Sequence, residues 1–295
     1  MKYSLFTGCV IPQKENAYEL SAKKVAEKLD VQLIDLKETN CCGYFLDFVD
    51  HLSSTVLAAR NLSLAEQTGC DLITLCNGCF GHLTRVNHEL QTDENLRKKV
   101  NDILGDVNKQ YKGTIQVKHF AQMLVQDVGI QRIKETIVRP LTRLRIAPHW
   151  GCHVVRPSKK VKFDDPEDTK LLDSLIDVTG AQCLNFLDRK VCCGGPISGV
   201  DEKTSFTILR EKLGNIQRDK ADAIVTICPF CHIQFDLNQL IVEEEYAEKY
   251  QIPVLHYTQL LGLAQGFSPD ELGLYDNRIP VDDILDEIIL EKSIQ

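Results

Sequence analysis

A chain of 295 residues can form two domains of ordinary size and bury a large core, so it does not depend on cysteine cross-links for stability. Hydrophobic residues make up 43% and charged residues 26%, an ordinary globular composition, and no run of 18 apolar residues is present to span a membrane. The formal charge of −8 argues against a nucleic-acid surface, which needs concentrated basic residues.

The first nine residues lack the apolar core and cleavage site of a signal peptide, which predicts a cytoplasmic protein whose thiols stay reduced. Residues 2–7 read as a short strand ending in Gly8-Cys9. Residues 17–29 carry Ala17, Leu20, Val25 and Leu29 at helical spacing. A second strand over 31–36 leads to Cys41-Cys42-Gly43. Residues 52–67 read as a helix stopped by Gly69, and a strand over 72–75 feeds Cys76-Asn77-Gly78-Cys79, where the next helix begins. The succession then repeats: strand 145–147, helix 168–178, strand 181–186, helix 206–217, and strand 223–227 into Cys228. Glu243-Glu244-Glu245 reads as a solvated helix face. The acidic tail, 268–295, is amphipathic over 284–290 and is expected to pack on its own domain or on a partner. Strands alternating with helices predict an α/β fold, a parallel sheet flanked by helices in each half.

Ten of the twelve cysteines follow one pattern twice. Cys9, Cys41-Cys42-Gly43 and Cys76-x-x-Cys79 are matched by Cys152, Cys192-Cys193-Gly194 and Cys228-x-x-Cys231, at offsets of 143, 151 and 152 residues. The repeat extends to Val117-Lys-His119-Phe-Ala-Gln-Met-Leu124 and Val254-Leu-His256-Tyr-Thr-Gln-Leu-Leu261. Duplication of one domain follows, with residues 1–140 as the first copy, 141–295 as the second, and the junction near Pro140. Cys9, Cys76, Cys152 and Cys228 come just after predicted strands, at the edge where open α/β sheets bind ligands. Each set of five should therefore converge.

Reduced thiolates select zinc, copper(I) or iron–sulfur clusters. Structural zinc takes four ligands, whereas each copy offers five, two of them adjacent. Adjacent side chains point apart, which suits a cluster whose irons are separate. Zinc and a metal-free thiol relay are the alternatives. Cys70 and Cys183 fall outside the pattern and read as buried structural cysteines.

With these cysteines, and with Cys76-Asn-Gly-Cys-Phe-Gly81, Gly151-Cys-His-Val-Val-Arg-Pro157, Asp164-Asp-Pro166, Cys228-Pro-Phe-Cys-His-Ile-Gln-Phe235 and Tyr257-Thr-Gln-Leu-Leu-Gly-Leu263, the chain resembles the B subunit of heterodisulfide reductase. That family carries the cysteine-rich CCG domain twice, so the resemblance implies two pseudo-symmetric CCG domains. It further implies that Cys9, Cys41, Cys42, Cys76 and Cys79 bind one non-cubane [4Fe–4S] cluster, and that Cys152, Cys192, Cys193, Cys228 and Cys231 bind a second. The family's B subunit is catalytic. It receives electrons from a flavin-containing A subunit through an iron–sulfur C subunit, and in methanogens it reduces the disulfide of coenzyme M and coenzyme B. Two clusters facing one cavity would each pass one electron to one sulfur. The segments following both CC pairs, Gly43-Tyr44-Phe45-Leu46-Asp47 and Gly194-Gly-Pro-Ile-Ser-Gly199, are shorter than in methanogen members, which leaves the substrate open. Oxidation of a carrier-bound sulfur species and a non-catalytic electron relay are the rival functions.

Other residues carry expectations beside structural readings. His153 and His232 each follow a cysteine of the pattern. His153 is a candidate catalytic proton donor, while His232 reads as a hydrogen-bonding residue. His82 is placed to support the first cysteine set from behind. His119 and His256, at matching positions, read as satisfied core histidines. Arg156, Lys159 and Lys160 are either an anion site or a solvated loop. Trp150 either walls the cavity or packs in the core. Gly78 is expected to relieve backbone crowding, and Pro229 suits a first helical turn.

Overall fold

A computed structural model describes residues 1–292. Two four-stranded parallel sheets divide the chain. The first contains β1 (Lys2–Phe6), β2 (Gln32–Asp35), β3 (Leu72–Thr74) and β4 (Val117–His119) in the order β2-β1-β3-β4. The second repeats it with β5 (Arg145–His149), β6 (Gln182–Cys183), β7 (Ala223–Thr226) and β8 (Val254–His256), in the order β6-β5-β7-β8. Tyr3 pairs with Leu33 and Leu5 with Ile73; in the second sheet Ile146 pairs with Cys183 and Ala147 with Ile224. The central strands read as near-continuous apolar runs because helices cover both faces, as a parallel sheet requires.

The predicted helices are present, with shifts at their ends. The helix predicted over 52–67 spans His51–Thr68, because the Asp50 carboxylate accepts the Ser53 N–H at 3.2 Å and Gly69 takes φ +69° at its end. The helix predicted over 206–217 spans Glu202–Arg218, started by Asp201 accepting from Thr204 N at 3.0 Å. The helix predicted over 168–178 begins only at Leu171, because Asp164 Oδ2 takes the N–H groups of Lys170 and Leu171 at 2.7 Å and holds the preceding residues in a turn. The strand predicted over 181–186 is reduced to two residues at the sheet edge, where only one neighbour pairs with it.

The apolar core runs without a break from one sheet into the other. Arms cross between the halves to make it continuous. The helix Asn16–Lys28 packs against Tyr257–Ala264, with Ser21 Oγ and Thr258 Oγ1 2.7 Å apart. In return Phe163, from the second half, sits edge-on to Phe80 and His119 of the first. The tail packs on its own chain: Leu272, Leu274, Ile284 and Ile288 are buried. Asp236 pins it by accepting from the N–H groups of Arg278 at 2.7 Å and Ile279 at 2.9 Å. Side chains beyond residue 288 and all of residues 293–295 lie outside the described part. In the acidic run, Glu244 and Glu245 are exposed, but Glu243 accepts from Tyr250 N and Gln251 N at 2.7 Å, so it fastens a turn.

Candidate metal centre at the two sheet edges

Strand order explains where the cysteines meet. In each sheet the chain reverses its direction of winding between the two central strands, and the crevice at their C-terminal ends is the natural binding place of such folds. Cys9 and Cys76 follow β1 and β3; Cys152 and Cys228 follow β5 and β7. Loops ending in Cys41-Cys42 and Cys192-Cys193 complete each set.

The ten thiols lie side by side in one row that reads the same from both ends. Cys9 touches Cys41, then Cys42, Cys79 and Cys76 follow. Cys76 meets Cys228 across the interface between copies, and the row continues through Cys231, Cys193, Cys192 and Cys152. The Cys193–Cys231 sulfur separation is 3.6 Å. Cys9 is exposed and Cys41, Cys152 and Cys192 are half-buried, while Cys42, Cys76, Cys79, Cys193, Cys228 and Cys231 are buried.

The two copies share their electrostatics as well. Cys41 is held low, to about 2, by hydrogen bonds from the Cys42 and Cys9 thiols and from Gly43 N–H. Cys192 is likewise held at about 2 by Cys152, Cys193 and Gly194 N–H. Their neighbours Cys42 and Cys193 are pushed up to about 12, first by hydrogen bonding to those thiolates. So dense a group of sulfurs cannot all ionise without a cation to balance them. A multi-iron cluster in each copy fits this donor set: the ligands are soft, several and adjacent, and backbone N–H groups already point at sulfur.

The glycines after both CC pairs are required by backbone shape. Gly43 and Gly194 have φ +94° and +86°, and an added Cβ would lie 2.7 and 2.8 Å from the carbonyl oxygens of Ser54 and Ser205. Those serines return the contact, donating from Oγ to the glycine carbonyls at 2.8 and 3.0 Å. Behind Ser54 stands His82, Nε2 at 3.0 Å; behind Ser205, Gln234 donates at the same distance. His82 therefore supports the first set as expected. Burial lowers it to about 4, so it is neutral. Gly78 has an ordinary φ, and a Cβ there would contact Cys76 Sγ and the Tyr44 ring at 3.9 Å; it keeps cavity space open rather than relieving backbone crowding.

Two cavities flank the thiols, with about 460 and 350 Å³ of empty space. Tyr44, Phe45, Gly78 and Phe230 line both, so one aromatic wall separates and roofs the two sites. Tyr44 Oη lies 2.6 Å from His153 Nε2, which puts His153 on the wall of the cavity beside Cys152. Burial and the thiolates raise the Tyr44 phenol. None of Tyr44, Phe45 and Phe230 is legible as a wall residue from its own position in the sequence; the signal is the loop that replaces the usual turn after Cys42.

The structure decides several of the remaining expectations. His232 is the hydrogen-bonding residue expected, its Nδ1 3.0 Å from Glu15 Oε2 and its Nε2 3.2 Å from the backbone Val254 O. His256 joins it through the same carboxylate oxygen at 2.9 Å and stacks on Tyr18 at 3.9 Å. Glu15, supplied by the opposite half, is held near 2 by these two imidazoles against the opposing effect of burial. His119 is only half satisfied, with Nδ1 accepting from Ala121 N at 3.2 Å and Nε2 unpartnered. Arg156 and Lys160 pair with Glu167 and Glu89, and Lys159 is exposed, so they form a solvated loop and not an anion site. Trp150 packs in the core against the Arg189 guanidinium at 4.9 Å, and its carbonyl accepts from Asn77 across the interface at 2.5 Å. Cys70 and Cys183 are half-buried rather than buried: Cys70 stands in the turn before β3 with its Sγ on Thr68 O, Cys183 lies in the edge strand β6 beside Asp173, and neither is paired with one of the ten thiols.

Comparison with known proteins agrees with this geometry. The cysteine-rich (CCG) domain matches residues 3–84 and again 146–236. The B subunit of a ferredoxin/F420H2-dependent CoB-CoM heterodisulfide reductase from Methanosarcina acetivorans is 41% identical over 94% of both chains. The chain belongs to the family of heterodisulfide reductase B subunits. It is an iron–sulfur protein of oxidoreductase type, built from two CCG domains. The B subunit of a ferredoxin:CoB-CoM heterodisulfide reductase from Methanosarcina mazei is 39% identical over 94% of both chains. The membrane anchor subunit of an 8-methylmenaquinol:fumarate reductase from Wolinella succinogenes is 32% identical over 94% of this chain and 97% of its own. These relatives are subunits of larger reductases. A hypothetical protein from Helicobacter pylori shares the fold, with a TM-score of 0.76 at 17% identity over 95% of this chain and 52% of its own. Among the described residues, no helix is long and apolar enough to cross a membrane.

Proposed function

We propose that Cys9, Cys41, Cys42, Cys76 and Cys79 bind one non-cubane [4Fe–4S] cluster, that Cys152, Cys192, Cys193, Cys228 and Cys231 bind a second, and that the chain is the catalytic subunit of a heterodisulfide-reductase-like complex. The observation that carries this reading is the palindromic row of thiols, with Cys76 and Cys228 meeting where the copies join. Residues 1–140 and 141–295 are the two domains on this view, and the cytoplasm is the compartment. When bound, the two clusters supply two single electrons, the number that turns one disulfide into two thiols.

The chain's own residues do the rest. Phe45 and Phe230, 5.7 Å apart, keep water from the space between the sets. Tyr44 Oη and His153 Nε2 hold a proton on the cavity wall, where a departing thiolate can take it. Phe48, and Val49 with its symmetry counterpart Val200, are 76–90% exposed beside the two CC loops. These apolar side chains suit docking of an iron–sulfur C subunit that relays electrons from a flavin-containing A subunit.

The Wolinella relative, named for quinol:fumarate reduction, supports a second reading, an electron relay that turns over no disulfide itself. A disulfide screen on the anaerobically purified complex with a defined low-potential donor separates the two. Turnover of a disulfide that is lost in His153→Gln while the iron content is unchanged supports the catalytic reading. Fast electron throughput with no disulfide consumed supports the relay. Metal analysis finding zinc, or iron for only one cluster, overturns the cluster assignment.

A further inference from the structure

The two halves match closely at the sulfurs, yet two positions behind them do not match. Asn61 of the first copy and Lys212 of the second occupy equivalent places, 151 residues apart, in the helices His51–Thr68 and Glu202–Arg218. Asn61 Nδ2 donates to the carbonyls of Asn40 and Cys41, under the first CC pair, at 3.1 and 3.3 Å. Lys212 Nζ donates to the carbonyls of Val191 and Asp188, under the second, both at 2.6 Å. Lys212 is 1% exposed and, among the described residues, has no carboxylate partner at hydrogen-bond distance, only carbonyl oxygens and the Phe186 ring. A buried lysine without a carboxylate is rare, because nothing nearby offsets the loss of water. Here the thiols of Cys193, Cys231 and Cys152, and after them the Asp188 carboxylate, lie close enough for their charge to act on it.

The second mismatch is Phe6 against His149, 143 residues apart at the ends of β1 and β5. The His149 ring is 1% exposed, and among the described residues neither nitrogen has a hydrogen-bond partner. One ring nitrogen lies within 4.8 Å of both Cys193 Sγ and Cys231 Sγ. Phe235 covers the ring edge-on at 4.9 Å. An imidazole with two unused nitrogens beside two sulfurs is an N–H donor waiting for a sulfur acceptor. The first copy offers no equivalent pair. Its imidazole, His82, is satisfied by Ser54, and the neighbouring cation, Arg85, is paired with Asp47 at 2.6 Å and Glu89 at 3.2 Å.

We infer that Lys212 and His149 make the cluster of the second copy the easier one to reduce, so that the first electron to enter the chain settles there. The inference rests on the proposal that each copy holds an iron–sulfur cluster. A buried positive charge and an N–H donor both stabilise the added negative charge, and hydrogen bonds to sulfur and net charge are known levers on cluster potential. The step is balanced simply: a low-potential one-electron donor loses one electron, the second cluster gains it, and no bond or proton changes place. Lys212 and His149 act as positioning and tuning residues, since neither touches the substrate cavity's open face.

The test is an EPR-monitored reductive titration of the anaerobically purified full-length protein in its complex, with iron counted in every variant. Wild type should show two midpoints. Lys212→Asn, which copies the first half, should lower the upper midpoint and leave the lower one in place. The shift should correspond to at least a tenfold change in the one-electron equilibrium, about 59 mV. His149→Phe should lower the same midpoint and abolish a histidine nitrogen coupling in pulsed EPR of the first-reduced cluster. Asn61→Lys should raise the lower midpoint, which keeps the idea testable if Lys212→Asn does not fold. Full iron with both midpoints unmoved in Lys212→Asn and His149→Phe overturns the inference, as does a shift confined to the lower midpoint. A wild-type iron content short of two clusters defeats instead the cluster assignment on which it rests.

Discussion

Replacing Gly194 by alanine should empty one half of the site and spare the other. At φ +86° a Cβ meets its own backbone, which costs about 1–2 kcal/mol. It would also stand 2.8 Å from the Ser205 carbonyl, in the first turn of the helix Glu202–Arg218. That oxygen belongs to helix backbone and cannot swing aside like a side chain, so relief requires the loop to move, at about 1–3 kcal/mol. The total, about 2–5 kcal/mol, falls on the segment that places Cys192 and Cys193 and aims Gly194 N–H at Cys192 Sγ, 3.4 Å away. The cost is local, since the first copy builds its loop from Gly43 and Ser54. Iron and acid-labile sulfide per chain should fall by half in Gly194→Ala, and by half in Gly43→Ala, with the far-UV circular dichroism unchanged. Full iron in Gly194→Ala would refute the strain argument. Total loss from a folded chain would refute the independence of the two sets.

Ser205→Ala should be milder, costing about 1 kcal/mol for one hydrogen bond, with iron retained; a denaturant melt measures it. The double variant Cys70→Ala, Cys183→Ala should keep all its iron, because neither thiol touches the ten; loss of iron by metal analysis would place one of them at the site. Tyr44→Phe removes the partner of His153 Nε2 and should lower disulfide turnover while leaving iron content and EPR signals intact. Acid stability should depend on His119, which burial holds at about 4, below its ordinary 6.5. With the folded value below the unfolded one, this stabilisation is complete above about pH 6.5 and disappears as the pH falls toward 4, about 3 kcal/mol in all. Urea midpoints at pH 7 and pH 5 should therefore differ less in His119→Phe, by about 2 kcal/mol in stability, than in the parent protein; equal differences would remove His119 as the cause.

Much of the site was legible because duplication writes the same message twice. Cysteines in register, each after a predicted strand, predict convergence at the sheet edge, and Cys9, Cys76, Cys152 and Cys228 stand there. What stayed hidden depends on contacts between the copies. Nothing in the sequence around Glu15 announces that it reaches His232 and His256, 217 and 241 residues later. The aromatic wall is hidden for the same reason, since Tyr44 and Phe45 come from one half and Phe230 from the other. Lys212 looks like any polar residue of an amphipathic helix; only a position-by-position alignment of the two copies sets it against Asn61. Helix ends differ from the periodic pattern wherever a carboxylate decides them, as Asp50, Asp201 and Asp164 do.

The crossing of arms bears on how such a protein is made. Glu15 ends in the core of the second half, Phe163 in that of the first, and Asn77 grips the Trp150 carbonyl. While the ribosome has delivered only the first half, that half lacks Phe163 over His119, and Cys76 has no Cys228 to meet. The crossed core is therefore completed only after the last strand of the second sheet has left the exit tunnel.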